Sequence, residues 1–116
     1  VMARCCFSAA VCSRCASVIL PCGGDGVISV TSNLAPRQMQ AMCEAALSGD
    51  RECAQSINAP LDALHHDLFV QSNPIPVKWA AAQMGLCQPG IRLPLTWLTE
   101  DCQARVRQAM AQAGLL

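Results

Sequence analysis

One stretch alone in this 116-residue chain, Val27-Ile28-Ser29-Val30, reads as a β strand. It is a short β-branched run of the kind that forms a strand buried in a parallel sheet. It follows the turn cluster Gly23-Gly24-Asp25-Gly26. A solitary strand cannot satisfy its own backbone, because its N–H and C=O groups need a neighbouring strand. The pattern therefore demands partner strands from elsewhere in the same protein or from another chain. It points to a fragment of a larger α/β architecture.

Downstream of this run the signals are helical. Pro36 suits the first turn of a helix, and Met39, Met42, Cys43, Ala46 and Leu47 recur on one face of it. Gly49 stops this helix and Asp50 caps the next. Cys53, Ile57, Leu61, Leu64 and Leu68 form the apolar stripe of the second helix, with Pro60 inside it. An interior proline costs about 3 kcal/mol and predicts a kink or split there. Ser72-Asn73-Pro74 breaks the chain again, and a third helix is expected from about Pro76 to Met84, with Gly85 at its end. Pro89-Gly90 and Pro94 mark an extended connection. Thr99, Glu100 and Asp101 open a fourth helix, with the acids at the positive end of its dipole. Its buried face is Val106, Ala109, Met110 and Ala113, and Gly114 ends it. The chain thus reads as one strand and four helices.

Composition excludes several functions. The net charge is zero, charged residues are 14% and aromatic residues 3%. Neither the basic surface nor the stacking platform of a nucleic-acid binder is present. No apolar run reaches the roughly 18 residues that a membrane span requires. Val1 to Leu20 superficially resembles a signal peptide, but Arg14 interrupts its apolar stretch.

Cysteine is abundant, with nine in the chain, five of them (Cys5, Cys6, Cys12, Cys15, Cys22) within the first 22 residues. The odd count and helical body argue against a secreted disulfide scaffold. Cys43, Cys53, Cys87 and Cys102 read as small buried hydrophobes. Residues 1–22 share neither pattern nor composition with the remainder and contain no acidic residue.

Three blocks carry a resemblance: Gly26-Val27-Ile28-Ser29-Val30, Asn73-Pro74-Ile75-Pro76-Val77-Lys78-Trp79 and Arg92-Leu93-Pro94-Leu95-Thr96. In this order and spacing they resemble the C-terminal part of the dihydrodipicolinate synthase family, over about residues 23–116. The related sialic acid lyases share the barrel, but the Asn73–Trp79 block points toward the synthases. The resemblance implies a (β/α)8 TIM barrel of the Schiff-base aldolase class, which needs about 250 residues when whole. This chain then supplies, mostly as α structure, only the last strand and helix of the barrel (residues 23–49) and a C-terminal helical domain (residues 50–116). Where the family has a Ser-Gly-Asp-Asp segment, this chain reads Ala9-Ala10-Val11-Cys12-Ser13-Arg14-Cys15. One reading of the atypical Cys-rich segment 1–22 is translation out of frame.

The family condenses pyruvate with aspartate semialdehyde in lysine biosynthesis, through an imine on a barrel lysine and a tyrosine proton relay. By resemblance the chain belongs to a cytoplasmic homo-oligomer, a tetramer, needing no cofactor. The one family site residue that survives is Ile28, whose main-chain carbonyl is expected beside pyruvate. The chain has no tyrosine, and its single lysine, Lys78, is not at the imine position. No catalytic residue is therefore assigned, and the isolated chain is expected to be inactive.

Other constellations are weaker. A desolvated lysine can be a nucleophile, but Lys78 reads as a helical residue with a packed stem and a solvated head. The adjacent His65 and His66 point about 100° apart and make poor co-ligands. His65 falls near the apolar stripe and His66 toward solvent. Ser29, Thr31 and Ser32 have no His-Asp partner at a recognisable spacing. Cys12-Ser13-Arg14-Cys15 is a half-site for zinc without a second CxxC, and no metal ligand set is assigned. The alternatives to a synthase fragment are a noncatalytic helical interaction module and, more remotely, a small zinc-binding protein.

Overall fold

A computed structural model describes residues 26–116. The five α-helices among them are α1 (Pro36–Leu47), α2 (Arg51–Asn58), α3 (Asp62–Asp67), α4 (Ile75–Gln83) and α5 (Glu100–Gln112). Short 3-10 turns occupy Thr31–Asn33 and Ala59–Leu61. The chain divides into two compact units, and the boundary falls between Ala59 and Pro60.

Among the described residues no strand forms, and residues 26–30 belong to no ladder. The expected strand at Val27–Val30 is therefore absent as a paired element. The reason is the one the sequence supplies: an extended run without a neighbour has nothing to bond with.

In the first unit, α1 packs against α2 and against the 3-10 turn that precedes it. Pro36 stands at the N-terminus of α1, where its missing N–H costs nothing. Met39, Met42 and Ala46 form the buried face. Cys43 is only half-buried and Leu47 is exposed, so the apolar face is narrower than the sequence suggests. Gly49 ends the helix in the left-handed conformation, at φ 86°. Asp50 caps α2 as expected: the Cys53 N–H donates to Asp50 Oδ1 at 3.0 Å. The buried face of α2 is Ala54 and Asn58, and Cys53 is exposed. Of the expected stripe, Leu61, Leu64 and Leu68 are buried, whereas before Pro60 the buried positions fall one residue later than Cys53 and Ile57. After Asn58 the chain tightens into a 3-10 turn and restarts as α3, so a single helical period does not run through Pro60.

In the second unit, α5 is the common partner of α3 and α4. Val106, Ala109 and Met110 are its buried face, as the period predicts. Leu64, His65 and Leu68 are buried on and just after α3, and Ile75, Val77, Trp79 and Ala80 on α4. Asp67, in the last turn of α3, accepts from Arg105 Nη2 on α5 at 2.8 Å. Arg107 of α5 lies over the Trp79 ring of α4, and its Nη2 donates to Gln83 Oε1 at 3.3 Å. Thr99 occupies the N-cap of α5, yet its hydroxyl makes no capping bond. It is held instead by Gln71, which donates to Thr99 Oγ1 at 3.3 Å and accepts from its N–H at 3.4 Å. Gly85 and Gly114, at φ 73° and 70°, close α4 and α5. No described helix is long and apolar enough to cross a membrane.

Candidate functional site

Ile28 lies in the segment leading into the first 3-10 turn, and its side chain is 69% exposed. It is not the core strand side chain that a buried β-branched run suggests, because no sheet covers it among the described residues. The turn that follows is closely bonded. Ser32 Oγ donates to the Ser29 carbonyl. The Val30 carbonyl accepts twice from Asn33, from its N–H at 3.1 Å and from its Nδ2 at 3.0 Å. The Thr31 carbonyl accepts from the Leu34 and Ala35 N–H groups, both at 2.9 Å. Thr31, Leu34 and Ala35 are buried, so the turn is anchored where it meets α1. Ser29 is nearly buried as well and is engaged in its own interaction.

Lys78 lies on α4 within the Asn73–Trp79 block and is half-buried, as a packed stem with a solvated head should be. Its carbonyl accepts a long contact from Cys87 Sγ at 3.9 Å. The apolar residues of the block, Ile75, Pro76, Val77 and Trp79, are all buried, and Pro74 and Pro76 stand at the start of the helix. The Asn73–Pro74 and Leu93–Pro94 peptide bonds are cis.

The two histidines separate as expected. His65 is 2% exposed and engaged, whereas His66 is exposed with its Nδ1 2.9 Å from Asp67 Oδ1. They do not converge on a common point, and no group of three or more metal-ligating side chains occurs among the described residues. The Cys12–Cys15 half-site lies outside the described residues. The four described cysteines are free thiols, Cys43, Cys87 and Cys102 half-buried and Cys53 exposed. They are therefore less buried than small core residues would be. Burial pushes the Cys43 thiol above its ordinary value of 9.0. Of the three hydroxyl residues near this turn, Ser32 donates its Oγ to the Ser29 carbonyl, and Ser29 and Thr31 are each engaged in an interaction of their own.

Ser32 and Asn33 form a pair of side-chain-to-backbone bonds that the sequence alone does not single out. Their signal is a local one: a short polar side chain three residues after a carbonyl can bond back to it. Asp67 and Arg105 form a second pair that periodicity alone does not reveal, because it joins two helices 38 residues apart.

Comparison with known proteins bears on the whole arrangement. The family model of the dihydrodipicolinate synthetase family matches residues 11–113. The 4-hydroxy-tetrahydrodipicolinate synthase of Methylococcus capsulatus is 68% identical over 94 residues, covering 81% of this chain and 32% of that protein. The enzyme of the same name from Thioalkalivibrio sulfidiphilus is 62% identical over 93 residues, covering 80% and 32%. Among solved structures, the chloride-inhibited dihydrodipicolinate synthase of Acinetobacter baumannii, complexed with pyruvate, superposes with a TM-score of 0.84 at 45% identity. That match covers 88% of this chain and 35% of the other. The dihydrodipicolinate synthase of Thermotoga maritima superposes with a TM-score of 0.83 at 41% identity, covering 88% and 35%. The chain thus spans about a third of the length of the curated relatives it matches. Its helices are those of a (β/α)8 aldolase-class protein, and the three sequence blocks fall within the matched region. The chain belongs to the dihydrodipicolinate synthetase family.

Proposed function

We propose that this chain is the C-terminal third of a 4-hydroxy-tetrahydrodipicolinate synthase, which condenses pyruvate with aspartate semialdehyde on the way to diaminopimelate and lysine. The observation that carries the reading is the 68% identity over 94 residues to the Methylococcus capsulatus enzyme. Residues 23–49 supply the last barrel strand and helix, and residues 50–116 the C-terminal helical domain. The complete protein is a cytoplasmic homotetramer that works without a cofactor.

Within that enzyme the chain's contribution is one of shape and backbone. The imine forms on a lysine upstream of this chain, and the proton relay uses tyrosines that this chain lacks. Ile28 offers its main-chain carbonyl to bound pyruvate, at the C-terminal end of a barrel strand, where the chemistry of such barrels is placed. A fixed carbonyl dipole beside an iminium stabilises its positive charge without reorganising during the reaction. Pyruvate as ligand is supported by the Acinetobacter baumannii structure, which was solved with it bound.

The test is a graft. Residues 23–116 replace the matching third of the Methylococcus capsulatus synthase, and consumption of pyruvate with aspartate semialdehyde is assayed. The reading predicts turnover in the graft and none in the free chain. A folded, soluble graft without turnover overturns it.

A further inference from the structure

We propose that Ser32 and Asn33 are positioning residues for pyruvate, fixing the turn after Ile28 so that the Ile28 carbonyl stays aimed at the substrate. This rests on the reading of Ile28 given above. The turn divides neighbouring carbonyls into two kinds. Those of Ser29, Val30 and Thr31 are all taken: by Ser32 Oγ, by Asn33 twice, and by the Leu34 and Ala35 N–H groups. The Ile28 carbonyl lies immediately upstream of this set and takes no part in it. A carbonyl saturated by its own turn has little capacity left for a ligand, and the Ile28 carbonyl stands just outside that saturated set.

The two side chains do more than satisfy the turn. The Asn33 N–H already bonds the Val30 carbonyl, so its Nδ2 adds a second donor to an acceptor that is not in need of one. The gain is in orientation: two donors on one oxygen restrain the peptide plane in a way that one does not. Ser32 Oγ donates to the carbonyl of the next plane toward Ile28, that of Ser29. The far end of the turn is immobilised by buried Thr31, Leu34 and Ala35 and by its packing on α1. The hydroxyl and the amide thus carry the restraint of the buried end of the turn back to the Ser29–Val30 peptide, one plane beyond the Ile28 carbonyl. A displacement of about 1 Å at a reacting centre can cost as much as 100-fold in rate, so modest hydrogen bonds can have a kinetic signature.

The experiment uses the graft of residues 23–116 on the Methylococcus capsulatus synthase, with Ser32→Ala, Ser32→Thr, Asn33→Ala and Asn33→Asp. Asn33→Asp keeps the size and removes the donor, and Ser32→Thr keeps the hydroxyl. We expect kcat/KM for pyruvate to fall about three- to tenfold in Ser32→Ala, Asn33→Ala and Asn33→Asp, as for one lost neutral hydrogen bond. Ser32→Thr should restore it, and the KM for aspartate semialdehyde should stay within about twofold throughout. Unchanged pyruvate kinetics in the three donor-less variants overturns the proposal. So does a parallel loss for both substrates that tracks a lowered Tm, which is the mark of a merely structural role. An unmutated graft that folds but does not turn over removes the reading of Ile28 itself, and with it this proposal.

Discussion

The Arg107 guanidinium of α5 lies 5.6 Å from the centroid of the Trp79 ring of α4, a side chain only 1% exposed. Trp79 closes the Asn73–Trp79 block that carries much of the family resemblance, so the contact ties that block to the helix at the other end of the unit. Arg107 also donates to Gln83, one turn further along α4. A guanidinium can stack and donate in its plane together, which an ammonium cannot. Arg107→Lys should therefore lose most of what Arg107→Ala loses, about 0.5–1 kcal/mol for a partly exposed cation–π contact. Urea unfolding of the two variants followed by tryptophan fluorescence checks this. Equal stability of wild type and both variants would show that the contact does not contribute.

The core prediction concerns Met42, which is fully buried on α1. Met42→Ala leaves a cavity between α1 and its neighbours and should cost about 2–4 kcal/mol. Leu47→Ala, on the same helix but exposed, should fall within about 0.5 kcal/mol of wild type. Calorimetry on the pair separates them. Asp50→Ala, which removes the cap on α2, should lie between, at about 1 kcal/mol.

These residues show how far the sequence reaches. Met39, Met42 and Ala46, and Val106, Ala109 and Met110, follow the helical period and are buried as that period predicts. Caps and stops were legible for the same local reason: Asp50, Gly49, Gly85 and Gly114 act through their own geometry. The stripe holds at Leu61, Leu64 and Leu68 but not at Cys53 and Ile57, because a period is only as long as its helix, and Pro60 divides this one. The strand at Val27–Val30 has the right residues, but pairing belongs to two segments and cannot be read from one. Thr99 has the right type for a cap, yet Gln71 takes its hydroxyl across 28 residues, which no local rule anticipates. Of the candidate site, Ile28 came from the resemblance, whereas the donors of Ser32 and Asn33 appeared only once the turn was folded.

Thiol reactivity should rank by burial. Burial holds the Cys43 pKa above 9.0, so less thiolate is present there at a given pH. Cys53 is exposed on α2. At pH 8, iodoacetamide should therefore modify Cys53 before Cys43, as peptide mapping by mass spectrometry will show. The linkage has a definite sign. A raised acid pKa means that folding favours the neutral thiol, so this contribution is complete below the unfolded value. It is lost as pH rises through the folded one. Stability should thus decline above about pH 9, and Cys43→Ser should lessen the decline. An identical alkaline slope in that variant would refute the assignment.

Asp67 accepts from Arg105 and also lies beside exposed His66. Arg105 is itself half-exposed, so solvent screens the pair, and Arg105→Ala should cost less than about 1 kcal/mol. The loss should shrink further in 1 M salt, where the screening length is about 3 Å. A loss of several kcal/mol, or one insensitive to salt, would mean that the pair is more deeply desolvated than its exposure indicates.

The central claim is that this chain shapes a pyruvate site whose imine lysine lies elsewhere. Borohydride reduction in the presence of pyruvate, followed by peptide mass spectrometry, tests it most directly, on the free chain and on the graft side by side. The account predicts no adduct on the free chain. On the graft it predicts one adduct, on a lysine of the upstream Methylococcus capsulatus segment. A stable adduct on Lys78 in either protein would contradict it.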